Sequence, residues 1–451
     1  IYTNVLYPWH YEGRQALSPG GGAPVVPNPP FIPEDNPTAV LSRTFDVDQA
    51  ELSMRAYLDF GGVEGAFALY INGAFVGFSQ DSKLPSEFDI TDHVRPGENR
   101  ATLVVCRWSA QTYLEDQDYW HLMGAFRPVR LLFKPALHIR DLRVEAGADG
   151  RIVAEAEVSR VPGFADATVA FELLDADGWP VFSAQASPNG RPNYRQDAVP
   201  RFGVARVRGM VDGAATWSHE RPTLYTLVVS LVSGGEAIDF ESARVGFRDI
   251  EIQNGVILLN GRRLIVRGVN RHEFWAPVGR AVPIEHVRRE LLTMKKLGIN
   301  AVRTCHYPDD PRFYDLCDEL GLLVVCECDL ETHGVSGMLT HDPAWAAAFV
   351  TRAQRMVMTH KLHPCIFSWS LGNESGAGAN HAAMAGWIRE YDQSRLCQYE
   401  SGFPGKRISD VRGWMYAPLH EIMGMLTDPG DDRPIVLVEF SYQIRNSGGG
   451  L

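Results

Sequence analysis

The sequence lacks a long apolar run and lacks an excess of positive charge. No stretch approaches the roughly 20 apolar residues that a membrane-spanning helix requires, so we expect no membrane partner. The 43 Lys and Arg residues are outnumbered by 55 Asp and Glu, and the formal net charge is -12. This balance argues against nucleic acid as a partner. A secretory signal is also missing, and the start at Ile1 rather than Met indicates an interior fragment of a longer protein.

Cysteine is scarce, and its number is odd. Most of the seven cysteines lie in apolar, strand-like runs, and we interpret them as small buried thiols rather than as a disulfide framework. Cys326 and Cys328 are separated by one residue, which is too close for the usual pair of zinc ligands. Thiols of this kind belong to a reducing compartment, so the sequence predicts a cytoplasmic location.

The chain is long enough to hold several domains with buried cores. Its 451 residues, 45% of them hydrophobic, predict two to four domains. Residues 1–135 have the pattern of β structure, with a strong hairpin signal at Asn72-Gly73. Residues 136–248 contain short strand-like runs that predict a β-sandwich of immunoglobulin size. The turn signals between these runs are Asp149-Gly150, Asp177-Gly178, Asn189-Gly190 and Asp212-Gly213.

Residues 249–451 alternate between strand-like and helical segments. Such alternation predicts a parallel sheet or a (β/α)8 barrel. We expect the first barrel strand at 264–266, after a hairpin, and about seven strands in all. An eighth strand and helix are not evident before Leu451, so the barrel is expected to be truncated after strand seven. Because an open barrel would expose an edge strand and apolar surface, we expect weak or no activity for the isolated chain.

Polar residues cluster where these strands end, and two glutamates stand out. Glu374 follows the apolar run at 365–371, and Glu439 ends the run that begins at Pro434. A carboxylate is costly to bury unpaired, and glycoside hydrolysis needs two facing carboxyl groups. A single polar residue at a strand end is more often structural, but several at successive ends of one barrel favour a site. The segments concerned are 270–273, 303–307, 329–333, 373–374 and 439.

Several motifs resemble glycoside hydrolase family 2, and more narrowly its large β-galactosidases. In the barrel they are Asn270-Arg271-His272-Glu273, Ala301-Val302-Arg303, His306-Tyr307-Pro308, Glu331-Thr332-His333-Gly334 and Trp369-Ser370-Leu371-Gly372-Asn373-Glu374-Ser375-Gly376. In the first domain, segments 1–5, 81–89 and 113–118 also fit. The resemblance covers nearly the whole chain. It implies a jelly-roll sugar-binding-type domain, an immunoglobulin-like β-sandwich and a catalytic (β/α)8 barrel.

The resemblance implies that terminal non-reducing β-D-galactose is cleaved from β-galactosides such as lactose, with retention of configuration. Glu439 would be the nucleophile, and Glu374 would be the general acid and then the base. Double displacement predicts that the two carboxyl groups lie roughly 5–5.5 Å apart. Arg303 is either the partner in a buried ion pair or a group that orients the nucleophile, and we favour the second interpretation.

Two metal ions are implied as cofactors. Glu331, His333 and Glu374 would bind Mg2+, for which carboxylates and water are suitable ligands and imidazole is less usual. From the residues alone, a simple hydrogen bond between Glu331 and His333 is the alternative. Asp118 would bind Na+ and the galactose 6-hydroxyl, unless it is a solvated loop acid. The other implied sugar contacts are Asn4, His272, His306, Asn373 at the 2-hydroxyl, and Tyr416.

The chain departs from the family pattern just after Glu439. Tyr442 stands where the family has a histidine that contacts the sugar. Family members continue well beyond this point, and the full-length parent is implied to be a homo-oligomer. Two alternatives stay open: a β-glucuronidase or β-mannosidase of the same family, and an inactive sugar-binding fragment. A carboxylate at Asp118 suits a sugar hydroxyl and would repel a uronate, which favours galactose.

Overall fold

The computed structural model describes residues 28–161, 164–188 and 202–441. The predicted sugar contact Asn4 and the departure at Tyr442 lie outside these ranges, as does the predicted turn at Asn189-Gly190. Among the residues described, no helix is both long enough and apolar enough to cross a lipid bilayer.

The first part of the chain is a jelly roll built from antiparallel sheets around one core. Phe60, Phe67 and Leu103 come from different strands and are buried together. At the predicted hairpin, Asn72 and Gly73 adopt φ of 52° and 86°, left-handed values that these two residue types accept most readily. The four-stranded sheet is, in spatial order, Thr38–Val47, Gly97–Cys106, Ala66–Ile71 and Ala74–Ser79. The three-stranded sheet is Ser86–Asp89, Arg55–Phe60 and Val129–Lys134. A short two-stranded sheet is Val63–Glu64 and Gly124–Ala125. Short 3-10 turns are Glu51–Ser53, Thr91–His93 and Ala110–Leu114.

The second part is the immunoglobulin-like β-sandwich. Its inward side chains alternate along each strand, as in Tyr225–Ser233, where every second residue up to Leu231 is buried. The three-stranded sheet is Ile139–Ala146, Arg151–Ser159 and Phe202–Met210, and the four-stranded sheet is Pro180–Ala186, Thr168–Leu174, Tyr225–Ser233 and Glu236–Val245. A 3-10 turn, Phe164–Asp166, precedes the second sheet. Of the predicted turns that the structure describes, Asp149-Gly150 and Asp177-Gly178 join paired strands. Asp212-Gly213 lies in the loop that leads from one sheet to the other.

The third part is a TIM-barrel domain whose strands run parallel in chain order. A hairpin of Ile250–Gln253, Val256–Leu259 and Arg262–Arg263 precedes it. Five hydrogen-bonded strands are Gly268–Arg271, Ala301–Thr304, Leu323–Glu327, Ile366–Ser370 and Leu396–Gln398, and the sixth and seventh, Arg412–Met415 and Ile435–Glu439, form a pair. The α-helices are Ile284–Lys296, Pro311–Leu320, Ala346–His360, Ala379–Tyr391 and Leu419–Thr427, with 3-10 turns His333–Met338 and Pro343–Trp345. Asn270 Nδ2 donates to Val438 O at 3.2 Å, so the seventh strand approaches the first.

The first barrel strand lies four residues later than the sequence predicts. Residues 264–266 do not form a strand, because the side chain of Asn300 binds this stretch of backbone. Asn300 Nδ2 donates to Ile265 O at 2.9 Å, and its Oδ1 accepts from Arg267 N at 2.7 Å. The strand therefore begins at Gly268. As a result, Asn270 and Arg271 are the last residues of the strand rather than the loop that follows it.

Candidate active site

Arg303 is the centre of the polar cluster at the C-terminal ends of the strands. It lies in the second strand with a side chain only 4% exposed. Its Nη1 donates to Glu439 Oε1 at 2.9 Å and its Nη2 to Asn373 Oδ1 at 2.9 Å. Its Nε and Nη2 also bind the two oxygens of Glu327 at 2.7 and 2.9 Å. Burial lowers the pKa of Arg303, but Glu327, Glu400 and Glu439 outweigh it and raise the pKa. One guanidinium thus joins the strands that carry Glu439 and Asn373.

Glu439 ends the seventh strand and is held on both oxygens. Oε1 accepts from Arg303, and Oε2 accepts a short hydrogen bond from the Tyr416 hydroxyl. His306 Nε2 lies 3.8 Å from Oε1. Tyr416 is itself fixed by its backbone, since its N–H donates to Glu439 O at 2.7 Å. The Glu439 side chain is 13% exposed, so a small part of it remains accessible to solvent.

Glu374 lies four residues beyond the fourth strand, on a loop with unusual backbone geometry. Its φ is 39°, a left-handed value that is uncommon for a residue with a side chain. Its backbone N–H donates to Glu400 Oε1 at 3.0 Å, and its side chain is 38% exposed. Burial, with a further contribution from Glu327 and against the pull of Arg303, raises the pKa of Glu400 to about 8.

The three predicted magnesium ligands do come together. One ligand atom each from Glu331, His333 and Glu374 lies within 4.8 Å of the others. His333 Nδ1 is 3.7 Å from Glu374 Oε2 and 4.0 Å from Glu331 Oε1. Burial and then the charge of Glu374 raise the pKa of Glu331 well above its usual value. Glu331 Oε2 is buried and has no hydrogen-bond partner among the described residues, as expected of an atom placed to meet a cation.

Asp118 reaches this cluster from the first domain. Its Oδ2 lies 3.9 Å from His333 Nδ1, and its side chain is 59% exposed. The position follows from backbone pairing between the two domains. Glu115 forms a parallel bridge with Glu331, which in turn bridges to Asn373. Glu331 N donates to Leu114 O at 2.8 Å, and Asp116 N donates to Glu331 O at 3.1 Å.

The predicted sugar contacts His272 and His306 lie next to each other. Their rings are 5.7 Å apart and nearly perpendicular. His272 stacks on Tyr119 of the first domain, with 4.2 Å between centroids and 3° between planes. Burial, together with the charge of His306, lowers the pKa of His272 well below its usual value, so this imidazole is neutral. His306 Nδ1 lies 2.8 Å from Glu327 Oε1.

The structure therefore brings together nine of the ten predicted site residues, and the tenth, Asn4, lies outside the described ranges. Sequence reasoning missed Glu327, Glu400 and Tyr119. Glu327 carried the same signal as Glu374, a carboxylate in an apolar run, but its flanking cysteines suggested a core strand. Glu400 and Tyr119 had no such signal, because only the folded chain places them beside Glu374 and His272.

Three family models match the chain along its length. Residues 1–135 match the sugar binding domain of glycosyl hydrolases family 2, residues 137–248 match a second model of that family, and residues 250–451 match its TIM barrel domain. A β-galactosidase of Alteromonas mediterranea is 40% identical over 469 residues, covering 100% of this chain and 43% of that protein. One from Enterobacter cloacae is 41% identical, covering 100% and 44%. The chain thus spans less than half the length of these relatives.

Solved structures agree on the class of fold. An FMN-binding β-glucuronidase from Facaelibacterium prausnitzii superposes with a TM-score of 0.75 at 25% identity, covering 90% of this chain and 66% of that one. A β-glucuronidase from Bacteroides uniformis gives a TM-score of 0.79 at 19% identity, covering 90% and 53%; at that identity it shows the fold alone. The class of fold is a TIM barrel preceded by two β domains. This chain belongs to glycoside hydrolase family 2.

Proposed function

We propose that the protein is a retaining glycosidase that removes terminal non-reducing β-D-galactose from β-galactosides such as lactose. The observation that supports this most is the bridge through Arg303, which holds the Glu439 carboxylate and the amide of Asn373, the neighbour of Glu374. The name β-galactosidase on relatives at 40–41% identity supports the choice of sugar.

The reaction proceeds as two displacements at the anomeric carbon. In the first, a Glu439 oxygen attacks that carbon while Glu374 donates a proton to the glycosidic oxygen. The bond to the leaving group breaks, and an ester bond between the sugar and Glu439 forms. In the second, Glu374 takes a proton from water, the water oxygen attacks the anomeric carbon, and Glu439 is released as a carboxylate.

The neighbouring residues orient these two groups. Arg303 and the Tyr416 hydroxyl hold the Glu439 carboxyl group in one position before attack. Asn373 Oδ1 accepts from Arg303, and the Asn373 side chain also hydrogen-bonds Glu331. The second Nδ2 hydrogen would donate to the sugar 2-hydroxyl, a contact that strengthens in the transition state. His272, neutral and stacked on Tyr119, forms a wall of the sugar pocket.

Mg2+ fits the cluster of Glu331, His333 and Glu374. Two carboxylates and an imidazole within 4.8 Å, one of them with an unsatisfied buried oxygen, form a plausible donor set for a divalent cation. When bound, the ion would supply positive charge beside the acid/base carboxyl. Na+ at Asp118 stays a prediction from the family resemblance. That the full-length parent forms a homo-oligomer also stays a prediction from the family resemblance.

We expect Glu331→Gln to weaken Mg2+ binding by at least about tenfold, because a neutral amide replaces the buried anionic ligand. The measurement is a titration of Mg2+ followed by calorimetry, with the thermal shift as a second readout. Glu285→Gln, which makes the same chemical change on an exposed position, serves as the control and leaves binding unchanged. An unaltered Mg2+ affinity in Glu331→Gln would place the ion elsewhere.

The substrate assignment is tested with 4-nitrophenyl β-galactoside, β-glucuronide and β-mannoside. We expect the galactoside to give the highest kcat/KM by at least about tenfold, since one well-placed polar contact discriminates by that order. Asp118→Ala should reduce the preference, because the carboxylate near the sugar 6-position rejects a uronate. A faster rate on the glucuronide would instead favour the β-glucuronidase alternative, to which the neighbour at 25% identity lends some support. No turnover of any glycoside would favour a sugar-binding role.

A cytoplasmic location is part of the proposal, and the thiols support it. All seven cysteines are free, and six of them are buried. Burial raises the pKa of Cys317, Cys328 and Cys365 well above the usual thiol value, so these groups are unreactive core side chains. A protein with this set of reduced thiols is suited to a reducing compartment.

A further inference from the structure

Three successive side chains after the fifth strand bind three successive backbone amides of the loop that carries Glu374. Glu374 N donates to Glu400 Oε1 at 3.0 Å. Ser375 N donates to the Tyr399 hydroxyl at 3.0 Å, and Gly376 N to Ser401 Oγ at 3.1 Å. We call Tyr399, Glu400 and Ser401 the 399–401 cradle. None of the three is among the residues that touch the sugar or the metal in the proposed function.

The loop needs such support because its backbone is not in a relaxed conformation. Glu374 has φ of 39°, and Gly376 has φ of 68°. A glutamate rarely occupies the left-handed region, and such residues persist only where the surroundings determine them. The Tyr399 hydroxyl closes the arrangement, since it also donates to Gly376 O at 2.7 Å. The cradle therefore binds the backbone at Glu374 itself and at the two residues that follow it.

The cradle is itself rigidly packed. Glu400 is 8% exposed and lies against Gly413 of the sixth strand, where an added Cβ would come within 2.9 Å of Glu400 Cβ. Glycine at 413 thus makes room for the glutamate. Tyr399 is buried and stacks on His381 at 4.3 Å, and its backbone N–H donates to Ser409 Oγ at 3.0 Å. Because Glu400 and Tyr399 are packed in this way, they can hold the backbone of Glu374 in one conformation.

We propose that Glu400 and Tyr399 are positioning residues for the acid/base Glu374, and that their contribution to the reaction is confined to proton transfer at the leaving group and at water. The inference rests on the proposed function of Glu374. Glu400 also acts by charge on Arg303, which holds the nucleophile. Glu400→Gln removes that charge and keeps the accepting oxygen, so this variant separates the electrostatic effect from the positioning effect. A proton donor displaced by a fraction of an ångström loses alignment with the glycosidic oxygen, while attack by Glu439 is unaffected.

The signature of this role is dependence on the leaving group. A 2,4-dinitrophenolate departs without a proton, whereas an unactivated phenolate or a sugar needs one. We expect Glu400→Ala to lower kcat/KM on phenyl β-galactoside by about 10- to 100-fold, a part of what general acid catalysis supplies, and to change kcat/KM on the 2,4-dinitrophenyl substrate less than about threefold. Glu400→Gln keeps the accepting oxygen and should remain close to wild type on both. Tyr399→Phe keeps the ring stack, removes the hydroxyl, and should show the same split as Glu400→Ala.

The matched control is Ser409→Ala, which loosens the packing under Tyr399 without removing a bond to the 374–376 backbone. A general disturbance of the fold lowers kcat/KM on both substrates by the same factor. We expect that pattern from the control alone. If Glu400→Ala and Tyr399→Phe lower kcat/KM equally on both substrates, or do not lower it at all, the inference is overturned. If the wild type cleaves no substrate, the proposed function fails, and the contribution to proton transfer fails with it. Crystal structures then test the positioning role alone: it stands if residue 374 leaves the left-handed region in Glu400→Ala, and it falls if residue 374 stays there.

Discussion

Glu439→Gln is expected to lower turnover of an aryl β-galactoside by about 10⁴-fold or more, the order of loss found when a covalent nucleophile is removed. The amide has the shape of the carboxylate, and its oxygen can still accept from Arg303 while its Nε2 donates to the Tyr416 hydroxyl oxygen. It carries no charge with which to attack the anomeric carbon. The measurement is steady-state hydrolysis at saturating substrate. A thermal melt accompanies it, because the substitution should leave folding intact.

Two further measurements make this test specific to the nucleophile. Glu421→Gln makes the same change on an exposed position of the last helix and should leave turnover unchanged. A 2-fluoro aryl β-galactoside, whose ester intermediate decomposes slowly, should add one fluorosugar to the peptide that contains Glu439 in the wild type and none in the variant. Retained turnover in Glu439→Gln, or label on another residue, would show that the nucleophile is assigned wrongly.

Arg127→Ala is expected to lower the free energy of unfolding by about 3–5 kcal/mol, because it leaves a buried charge without its partner. Arg127 belongs to the first domain and binds both oxygens of Glu273 in the barrel, at 3.1 and 2.7 Å, with both side chains at most 4% exposed. Arg127 Nη2 also donates to Pro308 O at 2.8 Å. Urea unfolding followed by tryptophan fluorescence measures the change.

Arg151→Ala is the matched control for this prediction. Arg151 Nη1 pairs with Asp149 Oδ2 at 3.0 Å, and the two side chains are 59% and 51% exposed, so removal should change the free energy of unfolding by less than about 1 kcal/mol. The double variant of Arg127→Ala with Glu273→Ala should regain part of the loss, since both buried charges are then gone. Comparable effects at Arg127 and Arg151 would show that the buried pair contributes no more to stability than an exposed one.

Local patterns in the sequence predict the three-part fold and the region of the candidate site, whereas the individual roles of the site residues came from the family resemblance. Turn signals such as Asn72-Gly73 mark hairpins through backbone preferences that act over two residues. The polar ends of apolar runs mark the site, because a barrel gathers its strand ends on one side. The fifth and sixth strands, Leu396–Gln398 and Arg412–Met415, are short and carry polar residues, and they gave no clear periodic signal.

What the sequence could not predict are interactions between distant segments. The first barrel strand was placed at 264–266 because that run is apolar, whereas a single amide from Asn300 keeps this backbone out of the sheet. Glu400 is 26 residues from Glu374 in sequence, and nothing local marks it as the acceptor of that amide. Such pairings depend on tertiary packing, which no pattern of spacing contains.

The bridge between Glu115 and Glu331 has a consequence for how this architecture can change its specificity. Main-chain hydrogen bonds hold the segment of the first domain against the barrel rim, through Leu114 O and Asp116 N. Such bonds do not depend on which side chains the segment carries. The side chain at Asp118 can therefore be exchanged while its backbone stays in place. Under the proposed function, a different residue at this one position would face a different substituent of the sugar, while the backbone of the barrel stays unchanged.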